Sequence, residues 1–166
     1  MNHTAQYWID RLNLQPHIEG GAFAEIYRSA LVLPQQVLTA AHNGQRSAMT
    51  SIYFLLQYGQ FSALHRIAGD ELWHHYDGAT LAIYEITPDG RLTRHLLGKE
   101  PGAQPMVAIK AGSWFGSRVE TPDAYTLCGC TVAPGFDFAD FELAHRQPLT
   151  TQYPQHSGVI GELTRA

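Results

Sequence analysis

The sequence predicts an all-β fold, a sandwich or barrel of short antiparallel strands with short helices at its two ends. Three observations lead there. Short runs rich in Ile, Val, Tyr and Phe recur along the chain, separated by turn residues such as Pro88-Asp89-Gly90 and Ala133-Pro134-Gly135. Helical periodicity is confined to the ends. The 166 residues, 45% hydrophobic and 16% charged, suffice for one domain (1–166) with a buried core, and a second domain is not expected.

Taken in order, Thr4 to Leu14 carries Tyr7, Trp8, Leu12 and Leu14 behind Thr4 as N-cap, which predicts a short helix on the outside of the domain, ended near Asn13 and Pro16. His17 to Gly21 reads as a turn. Phe23 to Leu31 follows as a strand with Phe23, Glu25 and Tyr27 on one face and Ala24, Ile26 and Arg28 on the other. Leu33 to Gln45, punctuated by Pro34, Asn43 and Gly44, is expected to be a loop, either mobile or folded over a neighbouring subunit. Ala48 to Leu56 is a strand buried on two sides. Thr80 to Ile86 and Arg91 to Leu97 form a hairpin about the Pro88-Asp89-Gly90 turn, and Val107 to Ile109, Ser113 to Val119 and Tyr125 to Val132 complete the strands. Phe136, Phe138 and Phe141 form an aromatic stripe expected to seal one edge or end of the sandwich. Pro154 opens a terminal helix carrying Val159, Ile160 and Leu163.

Most of the usable chemistry lies between Gly59 and Gly78, GQFSALHRIAGDELWHHYDG. Phe61 to Ile67 and Leu72 to Tyr76 flank Ala68-Gly69-Asp70 and read as a hairpin closed by the Gly-Asp pair. Strand alternation puts His65 and Ile67 on one face, and Glu71, Trp73 and His75 on one face of the second strand, with His74 pointing away. An imidazole and a carboxylate then meet in one pocket, an arrangement shared by metal sites and acid–base pairs.

The spacing Gly59, His65, Ile67, Glu71, Gly78 resembles the first motif of the cupin superfamily, Gly-x5-His-x-His-x3-4-Glu-x6-Gly, with Ile67 in place of the second histidine. The second cupin motif is echoed only by Gly112, with Phe115 where its histidine would stand. The segments EGGAFAEIYRS (Glu19 to Ser29), DELWHHYDG (Asp70 to Gly78) and CTVAPGFDFADFEL (Cys130 to Leu143) are similar to a small single-domain subfamily, cupin family five, which has no agreed reaction. The resemblance implies a jelly roll and a homodimer. Exposed β-edges point to self-pairing as well.

Cupins that bind one metal use three histidines and a glutamate. Here His65 and Glu71 match, and His75 is the candidate third ligand for Zn, Ni or Fe. Against that alternative stands a metal-independent pocket for a small polar, carbohydrate-like ligand, with His65 as general acid or base and Glu71 orienting it. Cupin sugar epimerases use a histidine base and a tyrosine acid in a similar way. Tyr53, Tyr76 and Tyr125 are the candidate acids; Trp73 and Phe115 would supply stacking walls, with His75 and Glu25 at the ligand. A binding or sensing module without turnover is the third reading.

The formal net charge of −4, with 11 basic residues spread singly, argues against nucleic acid or an anionic membrane as partner. No N-terminal apolar segment or spanning run is seen, so a cytoplasmic protein is expected. Cys128 and Cys130, one residue apart on a strand, are expected to be small buried hydrophobes rather than a disulfide.

Overall fold

The computed structural model describes residues 3–165. Helix α1 (Ala5–Leu12) begins where Thr4 Oγ1 accepts the Tyr7 amide at 3.2 Å and ends at Asn13, which takes the left-handed conformation with φ 50°. Such an N-cap contributes about 1 kcal/mol. Its apolar side lays Trp8, Ile9 and Leu12 on Leu14, Leu55 and Leu127.

Strands β1 (Gln15–Pro16), β2 (Ala22–Arg28), β3 (Val32–Leu33), β4 (Arg46–Ser47) and β5 (Thr50–Gln57) come next. They are followed by β6 (Phe61–Arg66), β7 (Asp70–Gly78), β8 (Leu81–Ile86), β9 (Leu92–Leu97) and β10 (Met106–Ile109), then β11 (Trp114–Val119), β12 (Tyr125–Ala133) and β13 (Glu142–Leu143). Helices α2 (Arg146–Gln152) and α3 (Ser157–Glu162) close the chain. The strands form a six-stranded sheet, β1-β2-β5-β12-β7-β10, and a five-stranded sheet, β13-β6-β11-β8-β9, with β3 and β4 as a separate ribbon. The chain is thus all-β with short terminal helices.

Two layers of core hold the sheets. Between them Phe54, Leu56, Trp73, Leu81, Ile83 and Phe115 are buried. Each such side chain stabilises the fold by roughly 1.5–3 kcal/mol relative to an exposed one. Outside the five-stranded sheet, Leu64, Tyr84 and Trp114 are covered by Leu149, Tyr153 and Ile160 from the C-terminal helices.

The β8–β9 hairpin forms as the turn chemistry predicts, with Leu81 opposite Leu97 and Ile86 opposite Leu92. The expected hairpin of β6 and β7 does not form. The two strands lie in different sheets, and Ile67 to Gly69 carry the chain across the gap between them. The reason is that β6 is buried on both faces: Leu64 packs under the C-terminal helices while His65 faces the interior. A tight hairpin with β7 would leave one of those faces uncovered.

The segment expected as a loop holds a 3₁₀ turn, Gln35–Val37, and ends at Arg46, whose guanidinium is buried against Asp140 at 2.6 and 2.5 Å. Pro154 does open a helical turn, Pro154–His156, just before α3, but α2 was not foreseen. Cys128 and Cys130 are free and buried. Among the described residues no helix is long and apolar enough to cross a membrane.

Candidate functional site

A cavity of about 260 Å³ opens at one end of the sandwich. Its floor begins in the turn before β2. Gly20, at φ 119°, lies so close to β6 that a Cβ would sit 2.1 Å from the Phe61 carbonyl oxygen, so only glycine permits the approach. That approach delivers Glu19, whose carbonyl accepts the Ala63 amide at 3.0 Å. Its carboxylate is then held from two sides. Ser62 Oγ donates to Oε2 at 2.7 Å, and Oε1 lies 3.4 Å from His65 Nε2.

The His65 tautomer follows from its other nitrogen. Nδ1 is 2.7 Å from the Ala63 carbonyl oxygen, which can only accept, so Nδ1 carries the proton and neutral His65 keeps its lone pair on Nε2. The opposite holds for His17, whose Nδ1 accepts the Glu19 amide at 3.2 Å. Burial pulls the His17 pKa down, with the Glu19 charge opposing and His65 adding to the effect.

Glu71 enters the same cavity from β7. Burial, reinforced by the charge of Glu19 and only partly offset by a hydrogen bond with Cys130, pushes its pKa up to about 8. At neutral pH Glu71 is therefore a carboxylic acid, able to donate a proton. The Cys130 thiol, pushed up by its own burial and by its neighbours Cys128 and Glu71, stays protonated and is no nucleophile.

The mouth is made by an irregularity. Opposite β5, Glu25 pairs with Ile52 and Tyr27 with Ser51, so β2 carries one extra residue at Ile26. This bulge overturns the simple alternation expected for the strand: Tyr27 turns to the outer face, and Arg28 joins Glu25 at the cavity. There Arg28 Nε and Nη2 donate to both Glu25 carboxylate oxygens at 3.0 and 2.7 Å. Phe136, Asp137 and Phe138 complete the rim, with Phe138 exposed, while Phe141 turns inward to His65 with centroids 5.4 Å apart. The aromatic stripe thus frames an opening more than it seals an edge. Arg46, by clamping Asp140, anchors this rim.

Of the residues singled out in the sequence, the cavity gathers His65, Glu71 and Glu25. The others lie elsewhere. Trp73 is buried in the core against Phe54 and Phe115, with centroids 5.8 and 6.4 Å away. Phe115 packs against His65 in a tilted contact, centroids 4.2 Å apart, and does not line the cavity. His75 shares a face with Glu71 but stands four residues, about 13 Å, along the strand, where its Nε2 approaches the Ala79 carbonyl at 3.2 Å. Tyr53 and Tyr125 are on the outer face. Tyr53 meets Tyr76 at 5.9 Å, and Tyr125 donates to Asp77 at 2.7 Å beneath α1; burial, reinforced by that hydrogen bond, raises its pKa to about 12. The carboxylate beside His65 is that of Glu19, which sequence reasoning passed over; its signal was a glutamate immediately before two glycines.

The matching of residues 6–144 to the family described as Cupin superfamily (DUF985) decides the relationship. The chain belongs to this cupin family. A hypothetical protein from Leishmania major is 35% identical with a TM-score of 0.91, over 99% of this chain and 100% of that one. A Shewanella oneidensis protein is 38% identical with a TM-score of 0.88, over 98% of both chains. Oxalate decarboxylase from Bacillus subtilis, 12% identical over 89% of this chain and 36% of that one with a TM-score of 0.53, shares the fold. No curated protein matches.

A metal-binding cupin site does not fit these residues. Ile67 and Phe115 stand at two of the four ligand positions, and the remote His75 cannot join His65 and Glu71. Among the described residues no group of three or more His, Cys, Asp and Glu side chains could hold a metal ion.

Proposed function

We propose that the cavity binds a small polar, carbohydrate-like molecule and transfers a proton on it without a metal, in an isomerase or epimerase reaction. His65 Nε2 takes a proton from a carbon next to a carbonyl. Glu71, neutral at the pH of the cell, gives its proton to the developing enolate oxygen or to the opposite face of the carbon. Glu19 stabilises the imidazolium so formed, and Ser62 holds Glu19 for that purpose. The observation that supports this reading is the convergence of a tautomer-fixed histidine and a neutral carboxyl on one cavity, their environments set apart by a third, hydrogen-bonded carboxylate. Ile52, Ile67 and Val132 give it apolar walls. Its volume, just under the roughly 300–1,000 Å³ of typical ligand pockets, suits a ligand of monosaccharide size or less.

The test is to incubate the protein with a panel of aldoses, ketoses and their acid derivatives in deuterated water and follow C–H exchange by NMR. Wild type is expected to exchange the position next to the carbonyl of one class, with His65→Gln and Glu71→Gln each slower by about 10² or more. Thermal stabilisation by a sugar without any exchange would overturn the catalytic reading in favour of a binding module. Exchange abolished by a chelator and restored by Zn, Ni or Fe would overturn the metal-free one.

A further inference from the structure

Glu19 holds an acceptor that no donor among the described residues reaches. Its side chain is 9% exposed, and Ser62 serves Oε2, but Oε1 receives no hydrogen bond. His65 Nε2, 3.4 Å away, offers a lone pair of its own in the Nδ1–H tautomer. Two acceptors thus face one another, and both residues line the cavity. A buried carboxylate oxygen without a donor is costly, so the place for that donor is in the cavity.

The charges of the wall point the same way. The described lining holds the carboxylates of Glu19, Glu25 and Asp137 against one cation, Arg28. Arg28 is already engaged: Nε and Nη2 donate to Glu25, and Nη1 donates to the Phe136 carbonyl at 3.3 Å. Asp137, exposed at the mouth, uses only Oδ1, on the Ala139 amide at 2.8 Å. With Glu25 and Arg28 cancelling, Glu19 and Asp137 remain without a cation, one deep and one at the entrance. An anionic ligand would enter against this field and meet no free cation; a cationic one is drawn in.

Building on the proton-transfer reading above, we infer that the ligand carries a protonated amine, bound at Glu19 Oε1, and that the substrates are α-amino carbonyl compounds of the 2-amino sugar kind. The 3.4 Å between Oε1 and Nε2 suits one C–N bond, with the ammonium donating to Oε1 and the carbon presenting its hydrogen to Nε2. That C–H bond breaks, its proton passes to Nε2, and its electron pair moves onto the carbonyl oxygen, which takes the proton of Glu71. The ammonium withdraws electron density from the carbon and so acidifies the bond that must break. Glu19 then lies between two positive groups, ammonium and imidazolium, and stabilises both.

The experiment compares D-glucosamine, D-glucose and D-glucuronate on the full chain at about pH 6.5, where the amine is protonated and Glu71 neutral. Calorimetry reads affinity, and NMR in deuterated water reads exchange at C2. Wild type is expected to bind glucosamine about tenfold tighter than glucose, and glucuronate more weakly than either, with the preference shrinking as salt is raised. Glu19→Gln, which keeps an acceptor for Ser62, is expected to bring the glucosamine-to-glucose ratio close to one; a merely structural defect would lower both affinities together. Asp137→Asn keeps the cap on Ala139 and, at an exposed site, is expected to lower the ratio about two- to threefold even if Glu19→Gln fails to fold. Glucose or glucuronate bound as well as glucosamine, or a preference that neither folded variant changes, would overturn the amine and leave proton transfer on a sugar standing. Glucosamine bound with the expected preference but never exchanged would uphold the amine site and overturn the catalytic reading. Binding of none of the three would overturn both.

Discussion

Glu71 is the residue whose chemistry most departs from its type, and Glu71→Gln exposes the departure as a pH-dependent stability difference. In the folded chain its carboxyl titrates at about 8 instead of its ordinary 4.5. Between those values the folded protein keeps a proton that the unfolded chain releases. The stability associated with this proton is therefore fully present below pH 4.5, declines as pH rises, and is lost once pH passes 8. The slope is about 1.4 kcal/mol per pH unit over the window, so the full loss is on the order of 5 kcal/mol and about half of it has occurred near pH 6. Glutamine keeps the shape and one hydrogen-bond donor but cannot ionise. Urea titrations of both proteins at intervals from pH 5 to 8.5 give the difference in unfolding free energy, in which groups common to both cancel. The difference should move steadily in favour of Glu71→Gln with rising pH. A difference that is flat across the range would refute the assignment of a buried, neutral carboxyl.

Two further substitutions probe what holds the site in place. Ser62→Ala removes the donor to Glu19 Oε2 at a fully buried position; it should destabilise the fold by roughly 1.5–3 kcal/mol in urea titrations and slow proton transfer, with the effect on turnover exceeding that on ligand affinity. Arg46→Ala leaves Asp140 with only the Asn43 amide as partner and should cost roughly 1.5–3 kcal/mol, while proteolysis near the rim, read by mass spectrometry, rises at Phe136 to Phe141.

Much of the fold was legible because its signals are local. Thr4 and Asn13 bracket α1, the Pro88-Asp89-Gly90 turn fixes the β8–β9 register, and alternation on β7 correctly aimed Glu71, Trp73 and His75 at the interior. What was illegible depended on partners distant in sequence. The stretch from Phe61 to Tyr76 has the local look of a hairpin, and only the competition of both sheets for β6 separates its strands. Alternation fails at Ile26 because a bulge there is a property of the β2–β5 pairing, and so Arg28 could not be seen at the mouth. Strand position also sets depth: Glu71 and His75 share a face, yet one reaches the cavity and the other packs beyond Trp73. Glu19 was hidden for the same reason, since its role comes from a turn pressed against β6, forty-odd residues away in sequence.

The central claim, that His65 faces the cavity with a basic Nε2, is tested most directly by NMR of protein labelled with ¹⁵N in its histidine rings. Neutral His65 is expected to be the Nδ1–H tautomer, with the Nε2 signal alone shifting markedly when the ring takes a proton beside Glu19. An Nε2–H tautomer would contradict it, because the nitrogen facing Glu19 and the cavity would then have no lone pair with which to accept a proton.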